Sequence, residues 1–185
     1  APPTQVSFSE VAQYEGCPYQ YRLANSLGFE NVLVPELGYG RAIHHILRVI
    51  AEEARESGQP PAPEEIRAIL RREFYLPFAN RWAFDSMSRA ADQLVDRYRG
   101  EWADDLTRVW ATERPFEVHT EDGILTGRAD VILDRHEGAA DSLAIVDYKS
   151  STDADRDGVF AFQLAVYAAA GRGEGLEVSA AFLHD

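Results

Sequence analysis

The chain has 185 residues, 45% of them hydrophobic and 11% aromatic, which suffices for one packed core and is short for two. A formal net charge of -13 excludes a domain that grips nucleic acid unaided, because neutralising phosphates takes clustered cations, but it leaves room for metal ions that bridge carboxylates to phosphate. No apolar run reaches the roughly 20 residues of a bilayer span, and the single cysteine, Cys17, rules out an internal disulfide, so a soluble, cytoplasmic protein is expected.

Taken in chain order, APPTQ carries neither the charged nor the apolar part of a signal peptide. With Met87 as the only methionine, the expectation is a piece of a longer polypeptide. SFSEVAQYE pairs Ser7 with Glu10 three places on, the capping-box pattern that opens a helix. Pro18 suits the first turn of a second short helix running through YQYRLANSL. In GRAIHHILRVIAEEARESG the apolar Ile43, Leu47, Ile50 and Ala54 recur at helical spacing up to a stop at Gly58. A further helix starts at Pro63 and stops near Pro77, and a long one spans Asp85 to Leu106, with Met87, Ala91, Leu94, Tyr98 and Trp102 along one side.

At residue 108 the pattern changes. RVWATERPFEVHT and GILTGRADVILD are β-branched and aromatic runs joined by EDG, a hairpin signal, and LAIVDYKS reads as a third strand after the turn EGAADS. A polar loop, STDADRDG, leads to a helix from Val159 to Ala170 and a last strand, LEVSAAFL. The expectation is one domain over 1–185, helical over 1–107 and mixed over 108–185 in the order three strands, helix, strand.

Of the eighteen basic residues seventeen are arginines, and Lys149 is the one lysine. Alternation along the third strand puts Leu143, Ile145, Asp147 and Lys149 on one face and Ala144, Val146 and Tyr148 on the other. Antiparallel pairing with the preceding strand would bring Asp130 beside Asp147. Two adjacent carboxylates repel unless a cation lies between them, and oxygen-rich clusters suit hard ions such as Mg²⁺.

Each of these residues also has a plainer role. Asp147 and Lys149 can form a solvated pair at a strand end, and Glu113 can pair with its neighbour Arg114. Gln163 and Tyr167, one helical turn apart, can simply pack. Cys17 is expected to be a small buried hydrophobe, and Asp134 a turn residue. Of the adjacent histidines, His45 lies on the wetter face, whereas His44 is a turn from Gly40, where the missing side chain leaves room for close approach.

The ordered set resembles the PD-(D/E)XK nucleases, and within them the RecB-like branch. G-x-x-x-H is matched by Gly40 and His44, and a glutamate in the first strand by Glu113. G-x-x-D is matched by Gly127 and Asp130, D-Y-K by Asp147, Tyr148 and Lys149, and Q-x-x-x-Y by Gln163 and Tyr167. The opening SFSEVAQYEGCPYQYRL is similar to the start of that branch. The resemblance implies a mixed α/β, restriction-endonuclease-like core (αβββαβ) that hydrolyses DNA with Mg²⁺ or Mn²⁺. It implies that His44, Asp130, Asp147 and the carbonyl of Tyr148 bind the metal. Lys149 would act on the water and the developing phosphate charge, and Gln163 and Tyr167 would contact DNA or brace the site.

The start CPYQYRL followed by GYGRAIHHIL is most similar to nuclease domains at the C-terminal end of UvrD/Rep-type helicases, which makes helicase motor domains and DNA the expected partners. Some members hold an iron–sulfur cluster through an N-terminal cysteine and three later ones. With Cys17 alone, this chain cannot complete such a cluster by itself. The rival expectation is a catalytically silent relative that serves as a docking module.

Overall fold

A computed structural model describes residues 4–29, 34, 37–135, 142–148 and 159–184. It is a mixed α/β fold: helices pack on a five-stranded sheet. Strand β1 (Thr4–Ser7) runs straight into helix α1 (Phe8–Gly16), whose start Ser7 caps. The Ser7 hydroxyl accepts from the Glu10 amide and the Glu10 carboxylate accepts from the Ser7 amide, so two otherwise orphaned donors are satisfied reciprocally. Helix α2 (Pro18–Tyr21) begins at the proline and continues as a π-helical turn over Arg22–Ser26.

Helix α3 (Tyr39–Ser57) buries Ile43, Leu47, Ile50 and Ala54 as their spacing predicts, and ends at Gly58 in the left-handed conformation that stops helices. Helix α4 (Pro63–Glu73) ends four residues before Pro77, because Phe74 turns extended and packs its ring against Tyr39 and Phe84. Helix α5 (Arg81–Leu106) begins four residues earlier than expected, where the Asn80 side chain accepts from the Ala83 amide. Met87, Ala91, Leu94, Tyr98 and Trp102 all meet the core, as their common face predicts.

Strands β2 (Val109–His119) and β3 (Gly123–Asp134) form the antiparallel hairpin, and β4 (Leu143–Tyr148) pairs antiparallel with β3. Helix α6 (Val159–Gly173) crosses to β5 (Val178–His184), which lies parallel to β4. The sequence reading missed β1. Four residues, three of them polar, carry little periodicity, and the strand exists because it pairs in parallel with Gly123–Thr126 of β3. Gly123 permits this approach, since a Cβ there would sit 2.6 Å from the Thr4 carbonyl oxygen.

β2 occupies one edge of β3 from Ile124 to Leu133, so β1 and β4 share the other edge, β1 against 123–126 and β4 against 131–134. Residues 127–130 lie in the notch between them. Two apolar cores flank the sheet. Val131, Leu133, Ala144, Val146 and Tyr148 face the helices α3, α4 and α5, while Phe116, Ala129, Ile132, Leu143 and Ile145 face α6. The predicted alternation of β4 therefore holds through Tyr148. The turn EGAADS up to Asp141, Lys149 and the loop STDADRDG lie outside the described residues.

Cys17 corrects an expectation. It is half-buried rather than buried, and its Sγ caps α2 by accepting from the Gln20 amide at 3.4 Å. Asp134 is the last residue of β3, paired with Leu143, and not a turn residue.

Candidate active site

The candidate site lies at the notch in β3. Across it the alternation of β2 and β3 slips: Ala129 and Ile132 belong to the α6 side although three positions separate them, and Val131 belongs to the other. Opposite the slip stands Glu113, a non-glycine residue with φ of 49°. A left-handed residue inside a strand breaks the face pattern, and such conformations persist only where the surroundings enforce them. Neither Glu113 nor Asp130 pairs in the ladder, whose rungs run from Thr112–Val131 to Arg114–Ala129.

Freed from the ladder, Asp130 turns to the end of β4. Its Oδ2 accepts from the Tyr148 amide at 2.8 Å and lies 3.5 Å from Nδ1 of His44 on α3. Asp147, 3% exposed, lies one step along β4 from Val146, the partner of Val131, so the register sets it across from Asp130. Its Oδ1 accepts from Nε2 of the buried Gln163, which also bonds the Tyr167 hydroxyl. Burial is the main force raising the Tyr167 phenol above its ordinary range. The Gln163 hydrogen bond opposes that rise, and the charges of both Asp147 and Asp130 add to it. Both carboxylates thus act on one ring of α6, as convergent groups do.

The structure brings His44, Asp130, Asp147, Tyr148, Gln163 and Tyr167 together from α3, β3, β4 and α6. Glu113 does not join them, because Arg128 holds its carboxylate at 3.2 Å, while Arg114 pairs with Glu174. A surface pair was the plainer reading of Glu113, with a different arginine. His45 also separates from His44 as expected: its ring lies 3.0 Å from Glu73 and 2.9 Å from Arg48. Lys149 follows Tyr148 directly but is outside the described residues.

Gly127, the glycine of the G-x-x-D motif, has a packing reason. It lies across from Phe116 in the hairpin, and a Cβ there would overlap the Phe116 ring, which in turn packs on Tyr167 with centroids 4.6 Å apart. The small residue lets an aromatic stack reach the α6 side of the site.

Sequence reasoning gave no role to the rings behind the site. Tyr98 on α5 hydrogen-bonds its hydroxyl to that of Tyr148 at 2.7 Å, and Trp102 stacks on His184 with centroids 3.7 Å apart. The signal that could have found Tyr98 is a hydroxyl in the middle of an otherwise apolar helical face. His184 was cut off because the expected strand stopped at Leu183, although it pairs with Tyr148 across the parallel ladder.

Among the described residues no group of three or more His, Cys, Asp or Glu side chains is gathered closely enough to hold a metal. The donor set nonetheless fits a hard divalent ion: a buried carboxylate, a second carboxylate 3.5 Å from an imidazole, and a strand-end carbonyl at Tyr148. Ionised carboxylates removed from water need charge partners.

Helices on a five-stranded mixed sheet define a restriction-endonuclease-like α/β fold. The sequence profile of the PD-(D/E)XK nuclease superfamily matches residues 5–183, and the chain belongs to that superfamily. Among solved structures it is similar to a Eubacterium rectale protein described as a candidate exonuclease, with a TM-score of 0.56 at 13% identity. The superposition covers 96% of this chain and spans 65% of that one, and at this identity it establishes the fold alone. No curated protein matches the chain.

Proposed function

We propose that this domain is a Mg²⁺- or Mn²⁺-dependent deoxyribonuclease of the RecB-like branch, working beside a UvrD/Rep-type helicase motor in DNA repair or recombination. The observation that carries the reading is the notch itself: Asp130 lies between the Tyr148 amide and His44, and Asp147 stands one rung away, braced by Gln163. The exonuclease assignment of the E. rectale structure agrees with a nuclease, and the D-Y-K and Q-x-x-x-Y matches favour the branch.

In this reading Asp130, Asp147, His44 and the Tyr148 carbonyl hold the ion. When bound, the ion polarises the phosphoryl group and lowers the pKa of a coordinated water. Gln163 fixes the Asp147 carboxylate, and the Tyr148 amide fixes that of Asp130, so neither has to reorganise as charge develops. Lys149, the next residue in the sequence after Tyr148, would offer a compact ammonium to a phosphate oxygen. The acidic surface gives little grip on DNA, which is the motor's part.

The test is cleavage of single- and double-stranded DNA by this domain and by its fusion to a motor, with Mg²⁺, Mn²⁺ or chelator. Metal-dependent products lost in Asp130→Asn support the proposal. Metal-independent products would overturn the metal-dependent mechanism, and no products from any form would favour a silent docking module.

A further inference from the structure

Three contacts run in series from the helical half into the site. The Tyr98 hydroxyl on α5 meets the Tyr148 hydroxyl at 2.7 Å, the Tyr148 amide donates to Asp130 at 2.8 Å, and Asp130 lies 3.5 Å from His44. Both tyrosines are buried, at 9% and 2% exposure, so water does not replace the hydroxyl pair. Fifty residues separate them in sequence. The Tyr148 ring is further fixed by His44 on one side, 6.2 Å away edge-on, and by Tyr98 on another, 5.6 Å away edge-on. One turn along α5, Trp102 leaves helical geometry, with φ of -117° and ψ of 22°, and stacks on His184, the β5 partner of Tyr148.

A buried ring tied at its hydroxyl cannot rotate or lift without taking its own backbone along, and the backbone of Tyr148 supplies the amide that orients Asp130. We infer that Tyr98 is a positioning residue: through Tyr148 it sets the height of the β4 end and thereby the orientation of the Asp130 carboxylate. The helical first half is then part of the site and not only its support. The inference rests on the proposed nuclease reading only for its consequence in metal binding; the mechanical link stands apart from it.

The experiment compares the wild-type domain with Tyr98→Phe, Tyr148→Phe and the double variant. Each substitution removes one hydroxyl and keeps the ring. Amide hydrogen exchange of Tyr148 is read first, because it needs no metal. It should speed up about tenfold in Tyr98→Phe while that of Ile145, deeper in β4, stays as it was. Mn²⁺ affinity, measured by calorimetry, should fall about tenfold, the usual size for a lost group behind a ligand. Because one bond is being removed, the double variant should match the singles rather than add to them.

Unchanged Tyr148 exchange in Tyr98→Phe overturns the inference whether or not the domain cleaves DNA. Unchanged Mn²⁺ affinity with a lowered melting temperature also overturns it, since that is what a packing role alone would give. A wild-type domain that binds no Mn²⁺, with Tyr148 exchange still tied to Tyr98, would remove the nuclease reading and uphold the mechanical link.

Discussion

On the proposed reading, Asp130 and Lys149 are the single side chains on which the chemistry would turn. Asp130→Asn keeps the shape and an acceptor for the Tyr148 amide but removes the charge toward His44 and a bound ion. Cleavage should fall about a hundredfold or more while the circular dichroism spectrum is retained. Lys149→Arg preserves charge but replaces a point ammonium with a planar fork, which on the proposed reading would not fit between one water and one phosphate oxygen. Most activity should be lost with metal affinity and melting temperature nearly unchanged, as expected for an interaction made in the transition state, and near-normal cleavage would return Lys149 to the surface. Gln163→Leu takes a donor from the buried Asp147 carboxylate. It should cost about 1–3 kcal/mol, seen in thermal melts as a drop of several degrees.

At the scale of elements, two close approaches can be tested. Gly127→Ala should destabilise the hairpin by about 1–3 kcal/mol, because the methyl group meets the Phe116 ring across β2 and β3; combining it with Phe116→Leu should return part of that loss in a denaturant titration. The cap of α1 carries a pH dependence. The Ser7 amide, and after it the Ser7 hydroxyl, hold the Glu10 carboxyl below its ordinary range. A depressed carboxyl stabilises the fold above its ordinary pKa and loses that contribution as pH falls through the lowered value. Glu10→Gln, which removes the titrating carboxylate from both Ser7 contacts, should therefore weaken the domain at neutral pH and flatten its stability profile on the acid side of the carboxylate range. An unchanged acid profile would show that the cap does not couple to folding.

For the whole molecule, charge would govern encounter with DNA, the proposed substrate. A net charge of -13 predicts weak DNA binding by the domain alone, strengthened by divalent ions, weakened by salt, and greatly raised in effect by fusion to a motor through effective concentration. Fluorescence anisotropy with and without Mn²⁺ checks this, and tight metal-independent binding would contradict it. No described helix is long and apolar enough to cross a membrane.

Much was legible because it is local. Helical periodicity gave α3 with its buried face, a proline and a capping box gave two helix starts, and strict alternation gave the two faces of β4, since each depends on residues within a turn or two. Asp130 and Asp147 are marked as candidates by the resemblance of G-x-x-D and D-Y-K to a family pattern. What the sequence left open is non-local. β1 is a strand only because β3 offers it an edge, and Glu113 pairs with Arg128 across the hairpin and not with the adjacent Arg114. The Tyr98–Tyr148 bond is decided by how α5 packs against the sheet, and no pattern within either segment encodes a contact between groups fifty positions apart. Local conformation follows from backbone sterics and the spacing of apolar side chains, whereas the meeting of a helix face with a strand end is fixed only when the whole core closes.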